Sequence, residues 1–140
     1  MTFDRLRLSI LGCILFALGT VTVSGAGPPG RISERFQFEI PKLAVAHQGG
    51  NELTLRVSYD YARGLKARDY PDFRQLALAC EEFFRSYPNQ TDFWEILNLK
   101  LTGNLLANFP AVASITVEIQ VAPSARIPYP RASVVTRMRR

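Results

Sequence analysis

A glutamate at the start of an amphipathic segment is the side chain in this sequence best placed to do chemistry. Thr91-Asp92-Phe93-Trp94-Glu95 opens a run whose apolar residues recur at Leu97, Leu101, Leu105 and Phe109, and Phe109-Pro110 leads into an alternating stretch from Ser114 to Val121. Glu95, with Trp94 and Phe93 beside it, forms the candidate substrate-binding set. The same glutamate has a purely structural reading. With Asp92 as N-cap, Glu95 is the N3 partner of an Asp-x-x-Glu capping box, a place that also suits the helix dipole. Both readings stand at this level.

Other reactive types are scarce. His47 is the only histidine, and the cysteines are Cys13 and Cys80. One histidine and one cysteine in the folded part do not furnish a zinc site of the usual kind, so no metal and no cofactor is expected. Cys80 shares a helical face with Leu76, Ala77 and Phe83, which reads as a buried thiol rather than a nucleophile.

The net charge of +5 comes mainly from arginines spread along the chain, clustered only at Arg137, Arg139 and Arg140. A nucleic-acid surface needs a basic face interleaved with stacking aromatics. Here the aromatics fall on apolar periodic positions, so core packing accounts for them and nucleic acid is excluded as a partner.

Residues 1–26 read as a signal peptide. Arg5 and Arg7 precede an apolar run from Leu8 to Val23, and Ser24, Gly25 and Ala26 suit cleavage. The run is shorter than the roughly 20 residues that span a bilayer. Export to the periplasm, a lumen or the exterior is therefore expected; retention of residues 8–23 as a membrane anchor is the alternative. Residues 27–34 form a linker and 35–140 one domain, large enough for its own core.

The elements that must position Glu95 follow from periodicity. Phe36, Phe38 and Ile40 alternate with polar residues, and after Pro41 the apolar phase shifts to Leu43 and Val45, which predicts a bulge or an edge strand. Gln48-Gly49-Gly50-Asn51 is a turn, and Leu53, Leu55, Val57, Tyr59 and Tyr61 make the second strand of a hairpin. Asp69-Tyr70-Pro71-Asp72 starts a helix with Phe73, Leu76, Ala77, Cys80, Phe83, Phe84 and Tyr87 on one side. The second helix follows directly, its leucine stripe widened by Trp94, Ile96 and Leu106. Ile115, Val117, Ile119 and Val121 define a third strand, and after a proline-rich link Ala132, Val134, Thr136 and Met138 define a fourth. The order is ββααββ, an α+β unit with a four-stranded antiparallel sheet and two helices on one face. The other face would carry Thr54, Arg56, Ser58, Thr116, Glu118 and Gln120, and the open sheet edges invite pairing with further copies.

This order resembles the T-fold, or tunnelling fold, whose units associate edge to edge into barrels and bind pterins or purines at subunit interfaces. Within it the chain is most similar to dihydroneopterin aldolase, in a divergent form. The resemblance rests on Trp94-Glu95, Leu97, Leu101, Leu105-Leu106, Phe109-Pro110-Ala111-Val112, Ile115 to Ile119 and Ile127-Pro128, and spans roughly Tyr70 to Met138. It implies that Glu95 meets a 2-amino-pyrimidinone edge, whose N–H and NH₂ lie side by side and match the two oxygens of a carboxylate. It implies a homo-oligomer formed through sheet edges and a small heterocyclic ligand. The family's catalytic lysine at the end of the third strand is missing: Gln120, Val121 and Ala122 stand there. Lys100 follows Glu95 by five residues and faces another way. The family tyrosine before the first helix falls near Tyr70 or Phe73, and only Tyr70 has a proton to give. The histidine-glycine turn of the family is echoed loosely by His47-Gln48-Gly49.

Three functions follow as expectations. The chain is an exported, self-assembling T-fold protein holding a heterocycle through Glu95 without the aldolase reaction; or an active aldolase or epimerase, a lyase of folate synthesis, using Glu95 and Tyr70 with another base; or a non-catalytic subunit of a membrane-associated complex.

Overall fold

Alternating apolar residues and short turns give this chain a sheet with one apolar face on which its helices pack. The computed structural model describes residues 34–140. The expected signal peptide, and the linker as far as residue 33, lie outside the described residues. Strands β1 (Arg35–Val45) and β2 (Asn51–Tyr61) form a hairpin, helices α1 (Phe73–Ser86) and α2 (Trp94–Asn108) follow, and β3 (Val112–Val121) and β4 (Arg131–Met138) complete the unit. The sheet order is β1-β2-β3-β4, antiparallel throughout, as the ββααββ pattern required. On the helix side, Leu53, Leu55, Val57 and Tyr59 of β2 and Ile115, Val117, Ile119 and Val121 of β3 are buried with Leu76, Cys80 and Phe84 of α1 and Leu97, Leu101 and Leu105 of α2. Burial pushes the Cys80 thiol up to about 12, so it is a core group at neutral pH.

Pro41 does what its missing N–H dictates. Pairing passes from Ile40↔Leu55 to Leu43↔Leu53, with Lys42 in the left-handed region at φ 53°, so β1 is bulged there and resumes in the opposite phase. Strands β1 and β4 are the two sheet edges.

The face away from the helices carries the expected polar residues. Arg56 Nε donates to Glu39 at 2.8 Å, Gln120 Nε2 to Glu118 at 2.7 Å, and the Thr116 and Thr136 hydroxyls lie 2.9 Å apart. The Arg56–Glu39 and Thr116–Thr136 contacts cross between strands, and Gln120–Glu118 runs along β3.

The phase expected for β4 is reversed. Ser133 is buried and Val135 half-buried on the helix side, whereas Val134 and Met138 are 61% and 73% exposed. Registration on β3 forces this: Ile119 pairs with Ser133 and Val117 with Val135, while Glu118 pairs with Val134. Ser133 is admitted to the core because Asn98 of α2 reaches it. The fully buried Asn98 amide donates to Val117 O at 3.0 Å, Ser133 O at 3.1 Å and Ser133 Oγ at 3.3 Å. Thr102 Oγ1 donates to Asn98 O at 2.9 Å, so a polar seam runs down the buried face of α2. One turn further, Arg137 crosses the helix at Gly103, where an added Cβ would come within 3.1 Å of the guanidinium.

Replacing Asn98 by alanine removes a fully buried side-chain donor that joins α2 to β3 and β4. Asn98→Ala is expected to lower unfolding free energy by roughly 1–3 kcal/mol in urea titration, with the m-value unchanged.

Candidate functional site

The start of α2 is set by the residue just before it. Asp92 is not the N-cap of this helix. Phe93 is, with no side-chain capping bond, and the first helical hydrogen bond runs from Leu97 N to Phe93 O at 3.1 Å. The capping box expected from Asp92 and Glu95 is therefore absent. Asp92 is occupied elsewhere: its carboxylate accepts from Lys100 Nζ at 2.8 Å, from Asn89 Nδ2 at 2.6 Å and from the Tyr87 hydroxyl. Lys100 Nζ also donates to the Tyr87 hydroxyl at 2.9 Å, closing a triangle over the break between α1 and α2. Hydrogen bonds from Lys100 and then Tyr87 hold the Asp92 carboxyl below the usual carboxylate range, and Asp92 in turn raises Lys100.

The backbone carbonyl of Asp92 is held as firmly. His47 Nε2 lies 2.9 Å from it and Gln48 Nε2 donates to it at 2.9 Å, while Gln48 N donates to Gln90 O at 3.0 Å. A carbonyl only accepts, so Nε2 is a protonated nitrogen that donates to it. The His47 ring is buried, edge-on to Trp94 with centroids 4.7 Å apart. The turn after β1, a loose echo of the family's histidine-glycine turn, is thus the brace that fixes where α2 begins.

The candidate residues separate on this frame. Trp94 is 7% exposed, and its indole is a core group packed on His47. Phe93 is 74% exposed, with Ile96 and Leu99 partly exposed on the same helix. Glu95, the second residue of α2, is exposed and makes no hydrogen bond or ion pair with any described residue. Tyr70 follows a short 3-10 turn (Ala67–Asp69); its hydroxyl donates to Glu34, a bond that raises its pKa. The Tyr70 ring packs 4.6 Å from Tyr61, and Tyr61 pairs with Val112 at the start of β3, beyond the far end of α2. At about 1.5 Å per residue, α2 separates Tyr70 from Glu95 by roughly 20 Å within one chain. At the end of β3, Val121 is buried and Ala122 N donates to Glu52 O at 2.9 Å, with no lysine at the strand end.

Sequence reasoning missed Asn98 and the Asp92–Lys100–Tyr87 triangle. Asn98 and Thr102 carried a signal, two polar residues on the apolar stripe itself. The triangle had none, because its members are thirteen residues apart at the extremes and meet only when α1 and α2 fold back on each other. Among the described residues no group of three His, Cys, Asp or Glu side chains is placed to hold a metal ion, and no helix is long and apolar enough to cross a membrane.

No protein-family model and no curated protein matches this sequence. Solved structures do match its fold. A dihydroneopterin aldolase from Burkholderia thailandensis bound to guanine superposes with a TM-score of 0.59 at 14% identity, covering 77% of this chain and 93% of that one. A putative dihydroneopterin aldolase from Vibrio cholerae O1 biovar El Tor superposes with a TM-score of 0.52 at 16% identity, covering 74% and 98%. The fold is that of the dihydroneopterin aldolases, the T-fold.

Because the Asp92 pKa is lowered on folding, its contribution to stability is present above the unfolded value near about 3.9 and is lost as pH falls through the lower folded value. Asp92→Asn is expected to melt below the wild type at neutral pH, and the gap should narrow when both are melted at a pH below the unfolded value. A gap of the same size at both pH values would mean that the ionised carboxylate contributes nothing.

Proposed function

We propose that this chain is an exported T-fold protein of the dihydroneopterin-aldolase kind that assembles through its sheet edges, holds a flat pterin- or purine-like heterocycle through Glu95, and does not carry out the retro-aldol reaction. The observation that carries this reading is that Glu95 pairs with no described residue. A carboxylate expected to serve as a cap partner has no such partner, stands exposed at the positive end of α2, and has the exposed ring of Phe93 two residues away. Its two oxygens suit the paired N–H and NH₂ of a 2-amino-pyrimidinone edge, which guanine, the ligand of the Burkholderia structure, also presents.

Two further features support the reading. Tyr70 and Glu95 are at opposite ends of α2, so any site using both takes them from different copies, and β1 and β4 offer the unpaired edges for that assembly. The end of β3 has no lysine, and Lys100 is tied to Asp92 and Tyr87. The N-terminal pattern, with its basic, apolar and small-residue regions, supports export.

Pterin fluorescence titration of the purified protein with neopterin tests the site. Saturable binding is expected, and Glu95→Gln should weaken it at least tenfold, since hydrogen bonds to a charged group contribute about 1.5–3 kcal/mol. Light scattering should give an oligomer, and N-terminal sequencing of the native protein should begin near Gly27. A monomer that binds neither pterin nor purine rejects the proposal; Glu95-dependent conversion of dihydroneopterin to the hydroxymethyl pterin replaces it with the active aldolase.

A further inference from the structure

A second site lies where the turn after β1 meets the link between β3 and β4. The cavity there has a volume of about 700 Å³, within the usual range for small-molecule sites. Its lining includes Arg126 and Arg131 and no acidic residue. Neither arginine forms an ion pair with a carboxylate of the described residues. Arg131 opens β4 opposite Val121, so it shares the helix side of the sheet with Ser133. Its Nη2 donates to Asn51 Oδ1 at 3.1 Å, while Nη1 is buried with no hydrogen-bond partner.

An arginine with no carboxylate partner leaves its charge to be balanced by whatever occupies the cavity it lines, and an anion does this best. Two guanidinium groups beside one cavity present planar donor forks that match the oxygens of a phosphate better than any neutral group. The cavity is also preformed. Ser124 N donates to Ile127 O at 2.8 Å and Ile127 N to Ser124 O at 3.1 Å, so the link closes into a tight turn with Ala125 and Arg126 at its tip. The amides of Gln48 and Gln90 are already committed to Asp92 O and Tyr87 O, which leaves the arginines as the uncommitted charged donors.

We infer that this cavity is a binding site for a phosphate dianion, free or as a phosphate monoester, held by Arg126 and Arg131. The inference does not depend on the role of Glu95. Calorimetric titration of the full chain with inorganic phosphate, guanosine and guanosine monophosphate tests it. Saturable phosphate binding is expected, weakened at least tenfold by Arg126→Gln or Arg131→Gln and severalfold by raising salt, because both contacts are ionic. Arg126 is exposed on the link, so its variant keeps the test valid if Arg131→Gln fails to fold. Guanosine monophosphate binding at least tenfold tighter than phosphate, with the excess lost in Glu95→Gln, assigns the phosphate to a purine nucleotide reaching both sites; equal affinities assign it to free phosphate. Absence of saturable binding by either phosphate compound, or binding unchanged in Arg126→Gln, overturns the inference.

Discussion

Asp92 is held at both ends, and the candidate site depends on that. Its carboxylate is shared among Lys100, Asn89 and Tyr87, and its carbonyl is taken by His47 and Gln48. These contacts join the turn after β1, the end of α1 and the second turn of α2 at one residue. With its carboxylate turned to Lys100, Asn89 and Tyr87, Asp92 makes no capping bond to the helix it precedes. Helix α2 therefore starts at Trp94 with an apolar N-cap, Glu95 falls in the second helical position rather than the third, and its carboxylate is left for solvent or a ligand. The same brace turns Trp94 inward onto His47 and leaves Phe93 outside.

Further along the helix, Asn98 does for packing what Asp92 does for the start. Apolar contacts alone allow a helix to slide or rotate over a sheet at little cost, because they are non-directional. An amide donating to two strands at about 3 Å does not, and it fixes both the height and the rotation of α2 over β3 and β4. This choice propagates outward. Ser133 must face the helix, so Val134 and Met138 face away, and the polar side of the sheet acquires an apolar margin along the β4 edge. The edge that remains open is thus partly dressed for contact.

The element order, the bulge at Pro41, the turn at Gln48–Asn51 and the buried faces of β2 and β3 were all legible in the sequence, because each is written in local periodicity or in the chemistry of one residue. The phase of β4 was not. Ala132, Val134, Thr136 and Met138 alternate as convincingly as Ser133, Val135 and Arg137, and only pairing with β3 and the demand of Asn98 select between them. The N-cap failed for a related reason. Asp92 is the better local cap, and tertiary contacts 5 to 45 residues away outbid it. The separation of Tyr70 from Glu95 depends on which end of the helix layer each element occupies, which no spacing along the chain encodes.

What this arrangement can do is constrained by where its protons sit. Proton transfer near neutrality needs a group whose pKa lies near the working pH. The Asp92 carboxylate raises Lys100 and so keeps it cationic, the bond to Glu34 raises Tyr70, and burial takes Cys80 to about 12. Each shift moves its group away from the useful range, and each follows from a contact that also holds the fold together. Lys100 cannot be freed to act as a base without dismantling the brace at Asp92, and the Tyr70 proton is already shared. Glu95 is bonded to no described residue, and a free carboxylate at a helix start is suited to accept hydrogen bonds. The brace that exposes Glu95 is the same one that ties up Lys100 on the following turn of the helix.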